Sequence, residues 1–196
     1  MLDVGAGAAL VERAALSRGR DDLQWTALDG SLDCMQSLRR YARAGAIVDL
    51  EQLPALPGGF DAVVAGDILE HLADAERFVA LIRDALRPGG ALLVSVPNVA
   101  NIVIRAELLV GRFEYRERGI LDRTHRVFFT RRRLREMLRH AGLLIEAEAA
   151  STLPLHLVFP RLPRWILASA MAVLRAATAV LPRLLGYQLL ARAVRR

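Results

Sequence analysis

The sequence contains no lysine, so all 27 of its basic side chains are arginines. Without lysine the chain cannot form a phosphate-binding P-loop, a Schiff base with a pyridoxal cofactor, or the Tyr-x-x-x-Lys pair of many dehydrogenases. Several common classes of nucleotide- and cofactor-dependent enzymes are therefore excluded before any motif is considered.

Cysteine is almost as scarce, since Cys34 is the only one in the sequence. A single cysteine excludes a disulfide framework and a zinc ribbon, and we predict no metal site. The N-terminus, where glycines and acidic residues come at once, does not resemble a signal peptide. We therefore expect a cytoplasmic location.

The remaining composition suits one domain with a sizeable core, because 54% of the 196 residues are apolar. Over the first half of the chain, short strand-like runs alternate with helical patterns and turn signals. This order predicts an α/β fold: a Rossmann-like, doubly wound, mostly parallel sheet with an antiparallel last strand, in an α/β/α sandwich. We expect residues 1–150 to form the core, and residues 151–196 to complete the same domain with an apolar helical insert and the last strand.

In such sheets a ligand binds beyond the carboxyl ends of the strands, so the residues that follow each predicted strand are the first candidates for a site. Gly5 and Gly7 follow the first strand, where small residues let backbone N–H groups approach a ligand. Asp29 follows the second strand and could accept hydrogen bonds from ribose hydroxyls, or be a turn residue or helix cap. Asp49 follows a weak third strand and could contact an adenine amino group or be a solvated loop acid.

Four motifs, in order, resemble those of class I S-adenosylmethionine-dependent methyltransferases. They are Leu2-Asp3-Val4-Gly5-Ala6-Gly7, Asp29, the segment from Phe60 to Leu72 with its Gly-Asp-Ile-Leu-Glu-His, and the segment from Leu86 to Asn98 with its Arg-Pro-Gly-Gly. The chain is similar to the branch that includes ubiquinone-biosynthesis O-methyltransferases and the methyltransferases of surface-glycan and lipid gene sets. The resemblance extends over residues 1–150.

The resemblance implies S-adenosylmethionine as the cofactor, and methylation of a small-molecule, glycan or lipid-linked acceptor, most simply at oxygen. It assigns Asp3, Gly5, Ala6 and Gly7 to the methionine end of the cofactor and Asp29 to its ribose. It assigns Asp49 and Leu50 to the adenine and Asp67 to the sulfonium. Two features depart from the family pattern. Ala9 stands at the position of a third glycine, and the sequence begins inside the first strand, without the upstream helix that covers the cofactor in family members.

A hydroxyl acceptor needs a base that titrates near neutral pH, and histidine is the natural candidate. His71 follows the fourth strand, although it could simply begin a helix and bond locally. His125 lies in a stretch that resembles the acceptor-site loop of the glycan and lipid branch, and Asp122 could orient its imidazole. We take His125, His71 and Asp122 as the catalytic candidates, with structural histidines as the alternative.

Arginines and aromatic residues are concentrated between positions 112 and 139. Arginine binds phosphate in a bidentate manner, so an acceptor with a phosphate, pyrophosphate or carboxylate group is the preferred explanation, and residues 131–133 could be solvated helix surface. The pattern also suits nucleic acid. Base-methylating enzymes of this fold often carry Asn-Pro-Pro-Tyr after the fourth strand, and its absence at positions 66–69 argues against nucleic acid as a partner.

Residues 154–185 form the most apolar part of the sequence. The run from Trp165 to Leu181 is interrupted by Arg175 and is short for a bilayer span, so we expect a buried or interfacial helix. It could cap the core, or contact a membrane or a lipid-linked acceptor. Two other interpretations of the whole chain stay open: a truncated or non-catalytic cofactor-fold module of a larger assembly, and a peripheral membrane protein.

Overall fold

The computed structural model describes the backbone of residues 1–196, and the side chains of all of them except Met35, Ser37, Leu38, His156 and Leu157. Seven strands form one sheet: β1 (Leu2–Val4), β2 (Thr26–Asp29), β3 (Ala44–Ile47), β4 (Phe60–Gly66), β5 (Leu86–Pro97), β6 (Leu143–Ala150) and β7 (Gln188–Arg195). Their spatial order in the sheet is β3-β2-β1-β4-β5-β7-β6.

Strands β1 to β5 run parallel, and β7 lies between β5 and β6, antiparallel to both. The central strands are short runs of valine, leucine and alanine, and Leu2, Val63, Ala65 and Leu92 are fully buried. Such runs are typical of parallel strands in α/β folds, where helices flank the sheet. The predicted Rossmann-like, doubly wound sheet with an antiparallel last strand is confirmed.

Eight α helices connect the strands: α1 (Leu10–Leu16), α2 (Met35–Tyr41), α3 (Ala75–Ala85), α4 (Ile102–Leu109), α5 (Arg131–His140), α6 (Leu155–Val158), α7 (Arg164–Val180) and α8 (Pro182–Leu185). Two 3-10 helices cover Leu32–Cys34 and Leu69–His71. Side-chain oxygens cap the first turns of α3, α4 and α5, and they belong to Asp74, Asn101 and Thr130.

Two elements differ from the sequence prediction. Strand β5 begins at Leu86, and Arg-Pro-Gly-Gly, a sequence typical of a turn, forms a bulge within the strand: Phe60 pairs with Leu86, and Ala62 pairs with Ala91. Helix α4 was not expected. Its apolar residues are spread around the helix and only Ile104 is buried, so no amphipathic period marks it in the sequence.

The carboxyl end of β5 is fastened to the start of β7. The side-chain amides of Asn98 and Asn101 both donate to the carbonyl oxygen of Gly186, each at 2.9 Å. Both amides are buried, where a hydrogen bond to a carbonyl is costly to lose. The segment between β5 and α5, which carries several candidate residues, is therefore fixed against the edge of the sheet where a ligand is expected.

The C-terminal insert consists of α6, α7 and α8, between β6 and β7. Helix α7 turns one side inward, on which Leu167, Met171, Leu174 and Thr178 are at least half-buried, and it exposes the other side. Among the helices of the described chain, none combines the length and apolar character needed to cross a membrane.

Candidate functional site

The loop between β1 and α1 approaches its neighbours very closely. Gly5 and Gly7 have positive φ angles of 73° and 51°, which glycine adopts without strain. A Cβ atom on Gly5 would lie 2.9 Å from the Cδ1 atom of Ile68. Ala9, at the position of the missing third glycine, also has a positive φ of 54° and is fully buried. The loop therefore needs glycine at position 5 for both conformation and space.

Asp29 connects this loop to the end of β2. One of its carboxylate oxygens accepts a hydrogen bond from the backbone N–H of Gly7 at 2.7 Å, and the other accepts one from Ser31 at 2.8 Å. A carboxylate has about four acceptor positions, so two remain for a ligand. Asp29 can thus fix the glycine loop and also accept hydrogen bonds from ribose hydroxyls.

Asp3 is buried under the loop beside Glu12 of α1, an acid that the sequence analysis did not single out. Burial and, to a smaller extent, the nearby Glu12 together raise the pKa of Asp3 to about 8. Burial also raises the pKa of Glu12. Two acids in this position avoid repulsion when at least one of them keeps its proton. The signal for Glu12 was a single acid in the first turn of a mostly apolar helix that directly follows the loop.

Asp67 stands at the exposed carboxyl end of β4. Its φ of 50° is rare for a residue with a side chain, and strain of this kind is often found at functional sites. The hydroxyl of Ser95 donates to one carboxylate oxygen at 2.9 Å, and the side-chain amide of Gln188 donates to the other. Ser95 and Gln188 are partners that no sequence motif indicated.

The other cofactor candidates lie on the same side of the sheet. Asp49 is exposed, and its carboxylate accepts a hydrogen bond from the N–H of Glu51. Leu50 is buried in the main core, whereas Ala6 packs in a small cluster with Ala27. The structure therefore brings the glycine loop and Asp29 into contact, and it leaves Asp49 at the surface.

His71 and His125 meet although they are far apart in the sequence. Their ring centroids are 4.9 Å apart and the rings are nearly perpendicular. The Nδ1 atom of His125 lies 3.0 Å from the carbonyl oxygen of Ile120, and the Nδ1 atom of His71 lies 3.2 Å from the hydroxyl of Thr124. A carbonyl can only accept, so His125 carries its proton on Nδ1 and leaves its Nε2 lone pair open.

The expectation that Asp122 orients His125 is wrong. The Asp122 carboxylate instead accepts hydrogen bonds from the hydroxyl and the N–H of Thr124, at 2.6 Å and 2.8 Å. Because this hydroxyl donates to Asp122, it must accept from Nδ1–H of His71. Asp122 thus acts on His71 through Thr124, and the Nε2 atom of His71 is left without a proton.

The surroundings of His71 favour its neutral form. Burial lowers the pKa of His71, and the neighbouring His125 lowers it further. The hydrogen bonds from Thr124 lower the pKa of Asp122, which stays ionised. His71 can therefore accept a proton on Nε2 at neutral pH.

Glu70 is the third member of this cluster, and the sequence analysis missed it. Its side chain is only 1% exposed, and within the described part of the chain neither carboxylate oxygen has a hydrogen-bond partner. Burial raises its pKa to about 8. One donor atom each from Glu70, His71 and His125 lie within 4.8 Å of one another, a set that could hold a divalent cation.

Many of the clustered arginines form ion pairs within the protein. Arg131 and Arg135 both bind the carboxylate of Glu148 on β6. Arg131, expected as possible solvated surface, is therefore partly buried in an ion pair. Arg132 does lie on the surface of α5, where it pairs with Glu136 four residues on.

A cavity of about 970 Å³ lies under α7, next to the start of β7. Its walls include Leu134, Ala150, Leu184 and Leu189, and its polar lining includes Arg131, Arg175, Arg183 and Thr178. The hydroxyl of Thr178 is buried and has no partner in the described part of the chain. Gln188 of strand β7 contacts Asp67, and the next residue, Leu189, lines the cavity. Strand β7 therefore connects the cavity to one of the cofactor candidates.

The chain matches known methyltransferases over most of its length. The family described as Methyltransferase domain matches residues 1–148. A ubiquinone biosynthesis O-methyltransferase of Xylella fastidiosa (strain 9a5c) is 32% identical over 157 residues, and the match covers 74% of this chain and 61% of the relative. The protein of the same name from Xanthomonas euvesicatoria pv. vesicatoria is 33% identical, with 74% and 63% covered. The chain thus spans about three fifths of the length of these relatives.

Solved structures share the fold at low identity. An S-adenosylmethionine-dependent methyltransferase from Mesorhizobium loti has a TM-score of 0.63 and 18% identity, with 99% of this chain and 90% of that chain covered. Phosphoethanolamine N-methyltransferase 2 of Haemonchus contortus, solved in complex with S-adenosyl-L-methionine, has a TM-score of 0.63 and 17% identity, with 100% and 48% covered. The matched domain over residues 1–148 and the shared fold lead to one conclusion: the chain belongs to the class I S-adenosylmethionine-dependent methyltransferases.

Proposed function

We propose that the protein transfers a methyl group from S-adenosylmethionine to a hydroxyl oxygen of a small-molecule acceptor. The observation that carries this proposal is the contact between His71, which follows β4 as Asp67 does, and His125, which lies in the segment between α4 and α5. The names of the two matched relatives, O-methyltransferases of ubiquinone biosynthesis, support oxygen as the accepting atom.

The residues around the glycine loop fit this cofactor. Gly7, where an added Cβ would meet only the carbonyl oxygen of Gly5 at 4.0 Å, leaves room for close approach of a ligand to the backbone. Asp29 keeps acceptor positions for ribose hydroxyls, and Asp67 presents an exposed carboxylate for a positive charge. We assign Asp3, Gly5, Ala6 and Gly7 to the methionine end of the cofactor and Asp29 to its ribose. We assign Asp49 and Leu50 to the adenine and Asp67 to the sulfonium. When bound, the cofactor supplies a methyl group on a positively charged sulfur, which departs with the electron pair of the broken carbon–sulfur bond.

His71 is the base in this proposal. The acceptor oxygen bonds to the methyl carbon as the carbon–sulfur bond breaks, and the hydroxyl proton moves to the Nε2 atom of His71. Thr124 and Asp122 hold the opposite side of this ring and favour the cationic form once the proton has arrived. His125, which the carbonyl oxygen of Ile120 holds through Nδ1, packs against the ring of His71 and helps to fix its orientation.

The acceptor, we propose, is a glycan or lipid-linked compound with an anionic group. The cavity under α7 supports this class because its walls are mainly apolar, and because Arg175 and Arg183 line it beside the Arg131–Glu148 ion pair. The unpartnered hydroxyl of Thr178 offers a hydrogen bond to a polar atom of the acceptor. Arginine binds phosphate and carboxylate groups in a bidentate manner, which suits a headgroup at this position.

The carboxyl of Glu70 favours a second candidate role for the cluster. A divalent cation on Glu70, His71 and His125 would bind the acceptor oxygen and lower the pKa of its hydroxyl. The two roles differ in their response to a chelator. Turnover that stops with EDTA and returns with Mg²⁺, Mn²⁺ or Zn²⁺ supports the cation, whereas turnover that EDTA does not change supports the imidazole base.

The test of methyl transfer uses the purified chain, labelled S-adenosylmethionine and a crude lipid and glycan extract, with mass identification of the product. We expect His71→Ala and His125→Ala to lower turnover at least tenfold while cofactor affinity, measured by calorimetry, stays within twofold. His140→Ala is the control, because His140 is an exposed histidine at the end of α5.

Two results would overturn parts of this proposal. Unchanged turnover in both histidine variants would mean that His71 and His125 have only a structural role. Cofactor binding without transfer to any extract component would favour the non-catalytic module. A Thr124→Val variant separates positioning from structure: it removes contacts that raise the pKa of His71, so the pH at which turnover rises should move to a lower value, whereas a purely structural role would leave that pH unchanged.

A further inference from the structure

Helix α7 exposes a long apolar side to solvent. Trp165, Val173 and Val180 are 72%, 71% and 77% exposed, although the opposite side of the helix packs on the protein. Between them the exposed positions are mostly alanines. Large apolar side chains in one continuous exposed strip mark a contact surface in most proteins.

The strip continues beyond both ends of the helix. Phe159 and Leu162 in the preceding turn, and Leu181 after the helix, are also exposed. We call the whole strip the α7 surface, and define it by its exposed large apolar residues: Val158, Phe159, Leu162, Trp165, Val173, Val180 and Leu181. A 17-residue helix is about 25 Å long, so this surface is longer than a single side-chain pocket.

The charge around the α7 surface has one sign. After Glu148 the sequence contains no acidic residue and seven arginines. Four of them lie in the C-terminal insert: Arg161, Arg164, Arg175 and Arg183. Among the described side chains none of these four forms an ion pair with a carboxylate. The partner of this surface must therefore supply both apolar contact and negative charge.

We propose that the α7 surface docks on a membrane that contains anionic lipids. The helix lies in the plane of the interface, with its large apolar side chains among the upper acyl chains and the arginines beside the phosphate groups. Trp165 then occupies the headgroup level, where indole rings are favoured. A second copy of the chain fits less well, because a symmetric contact would bring arginines against arginines without a carboxylate to compensate.

The docking also orients the cavity described above. Arg175, Thr178, Val180 and Leu181 belong to the insert and line the cavity. Val180 and Leu181 also belong to the α7 surface, so a membrane that contacts this surface lies directly beside the cavity. A lipid-linked compound could enter without leaving the membrane surface; this last step rests on the proposed function, whereas the docking does not.

The first experiment is flotation of the purified chain with vesicles of phosphatidylcholine alone or mixed with phosphatidylglycerol. We expect binding to the mixed vesicles only, and weaker binding when the salt rises from about 0.1 M to about 1 M, where the screening length falls from about 10 Å to about 3 Å. Trp165→Asp should weaken binding at least tenfold. Arg164→Ala should weaken it about fivefold, the effect of one basic residue near an anionic surface.

Leu109→Asp is the matched control. Leu109 is 88% exposed at the end of α4, so the substitution places the same charge on another exposed apolar residue. We expect this variant to float like the unmodified chain. Thermal melting curves of both aspartate variants check that they are folded, because exposed substitutions rarely change stability by more than about 0.5 kcal/mol.

The second experiment measures depth directly. The sequence has two tryptophans, and Trp25 is buried, so a Trp25→Phe variant reports on Trp165 alone. We expect a blue shift of its emission on anionic vesicles, and quenching by lipids brominated near the headgroup end of the acyl chain. Emission that does not change would overturn the proposal, as would equal flotation of Trp165→Asp and the unmodified chain. If light scattering instead finds a dimer that Trp165→Asp dissociates, the α7 surface is an interface between copies.

Discussion

Replacement of Glu70 by glutamine should make the protein less sensitive to alkaline pH. The carboxyl of Glu70 is 1% exposed, and burial raises its pKa from 4.5 to about 8. Between these two values the folded chain keeps the proton of Glu70 while the unfolded chain has lost it. A rise in pH through this window therefore draws the equilibrium toward the unfolded state and lowers the free energy of unfolding.

The size of the effect follows from the two pKa values. Each pH unit is worth about 1.4 kcal/mol at one titrating group, so Glu70 lowers the free energy of unfolding by up to roughly 5 kcal/mol from pH 4.5 to pH 8. Above pH 8 the folded chain has also lost the proton, and the loss levels off. Glutamine has the shape of the protonated acid and does not titrate, so the variant lacks this part of the pH dependence.

The assay is urea unfolding at several pH values between 5 and 9, followed by the fluorescence of buried Trp25. EDTA is present throughout, because a cation bound at Glu70 would keep the carboxylate ionised in the folded state. The measured quantity is the difference in free energy of unfolding between Glu70→Gln and the unmodified chain. It should rise by at least about 2 kcal/mol between pH 5 and pH 8, half of the limit above. Glu114→Gln, at an exposed loop position, is the control and should give a constant difference.

A difference that stays constant with pH would refute the reasoning. It would mean that Glu70 is ionised in the folded state over the whole range, and hence that water or a neighbouring charge reaches it. Asp3 is a second buried acid with a pKa of about 8, but it is the same in both chains and cancels in the difference.

Two further predictions concern the glycine loop. Gly5→Ala should destabilise the fold more than Gly19→Ala does, and the difference should be about 1–3 kcal/mol in thermal or urea unfolding. Both glycines have φ near 70°, but only at Gly5 does the new methyl group meet Ile68. Asp29→Ala should weaken cofactor binding in calorimetry at least tenfold and lower stability by about 1.5–3 kcal/mol, since it removes a charged acceptor from two backbone N–H groups. Unchanged affinity in this variant would remove the ribose assignment.

The parts of the fold that a local pattern determines were predictable. Strand β4 and helix α3 lie where the apolar runs indicated, because a buried parallel strand and an amphipathic helix each leave a periodic signal. Helix α4 leaves no such signal, since Ile102, Leu108 and Leu109 are apolar yet exposed. Its position depends instead on Asn98 and Asn101, whose bonds to Gly186 join residues more than eighty positions apart.

The same distinction divides the site. Gly5, Gly7 and Asp29 belong to one loop-and-strand unit, and their spacing in the sequence indicated their contact. The meeting of His71 with His125 depends on the backbone N–H groups of Arg126 and Val127, which both donate to the carbonyl oxygen of Glu70. No sequence pattern encodes that contact. The partner of Asp122 could not be predicted for a similar reason. Whether its carboxylate bonds to Thr124 or to His125 depends on the geometry of the folded loop, which the sequence does not show.

The buried acid and the two imidazoles are best understood together. Burial raises the pKa of Glu70 to about 8 and lowers the pKa of His71, so at neutral pH the acid keeps its proton and the His71 ring is neutral before the reaction. A proton taken up by His71 creates a positive charge beside Glu70, which lowers the pKa of the carboxyl and favours release of its proton. Glu70 can thus keep the cluster neutral while His71 holds the proton from the acceptor. Glu70→Gln should then lower kcat without changing cofactor affinity, and a kcat equal to that of the unmodified chain would leave Glu70 with no part in the transfer.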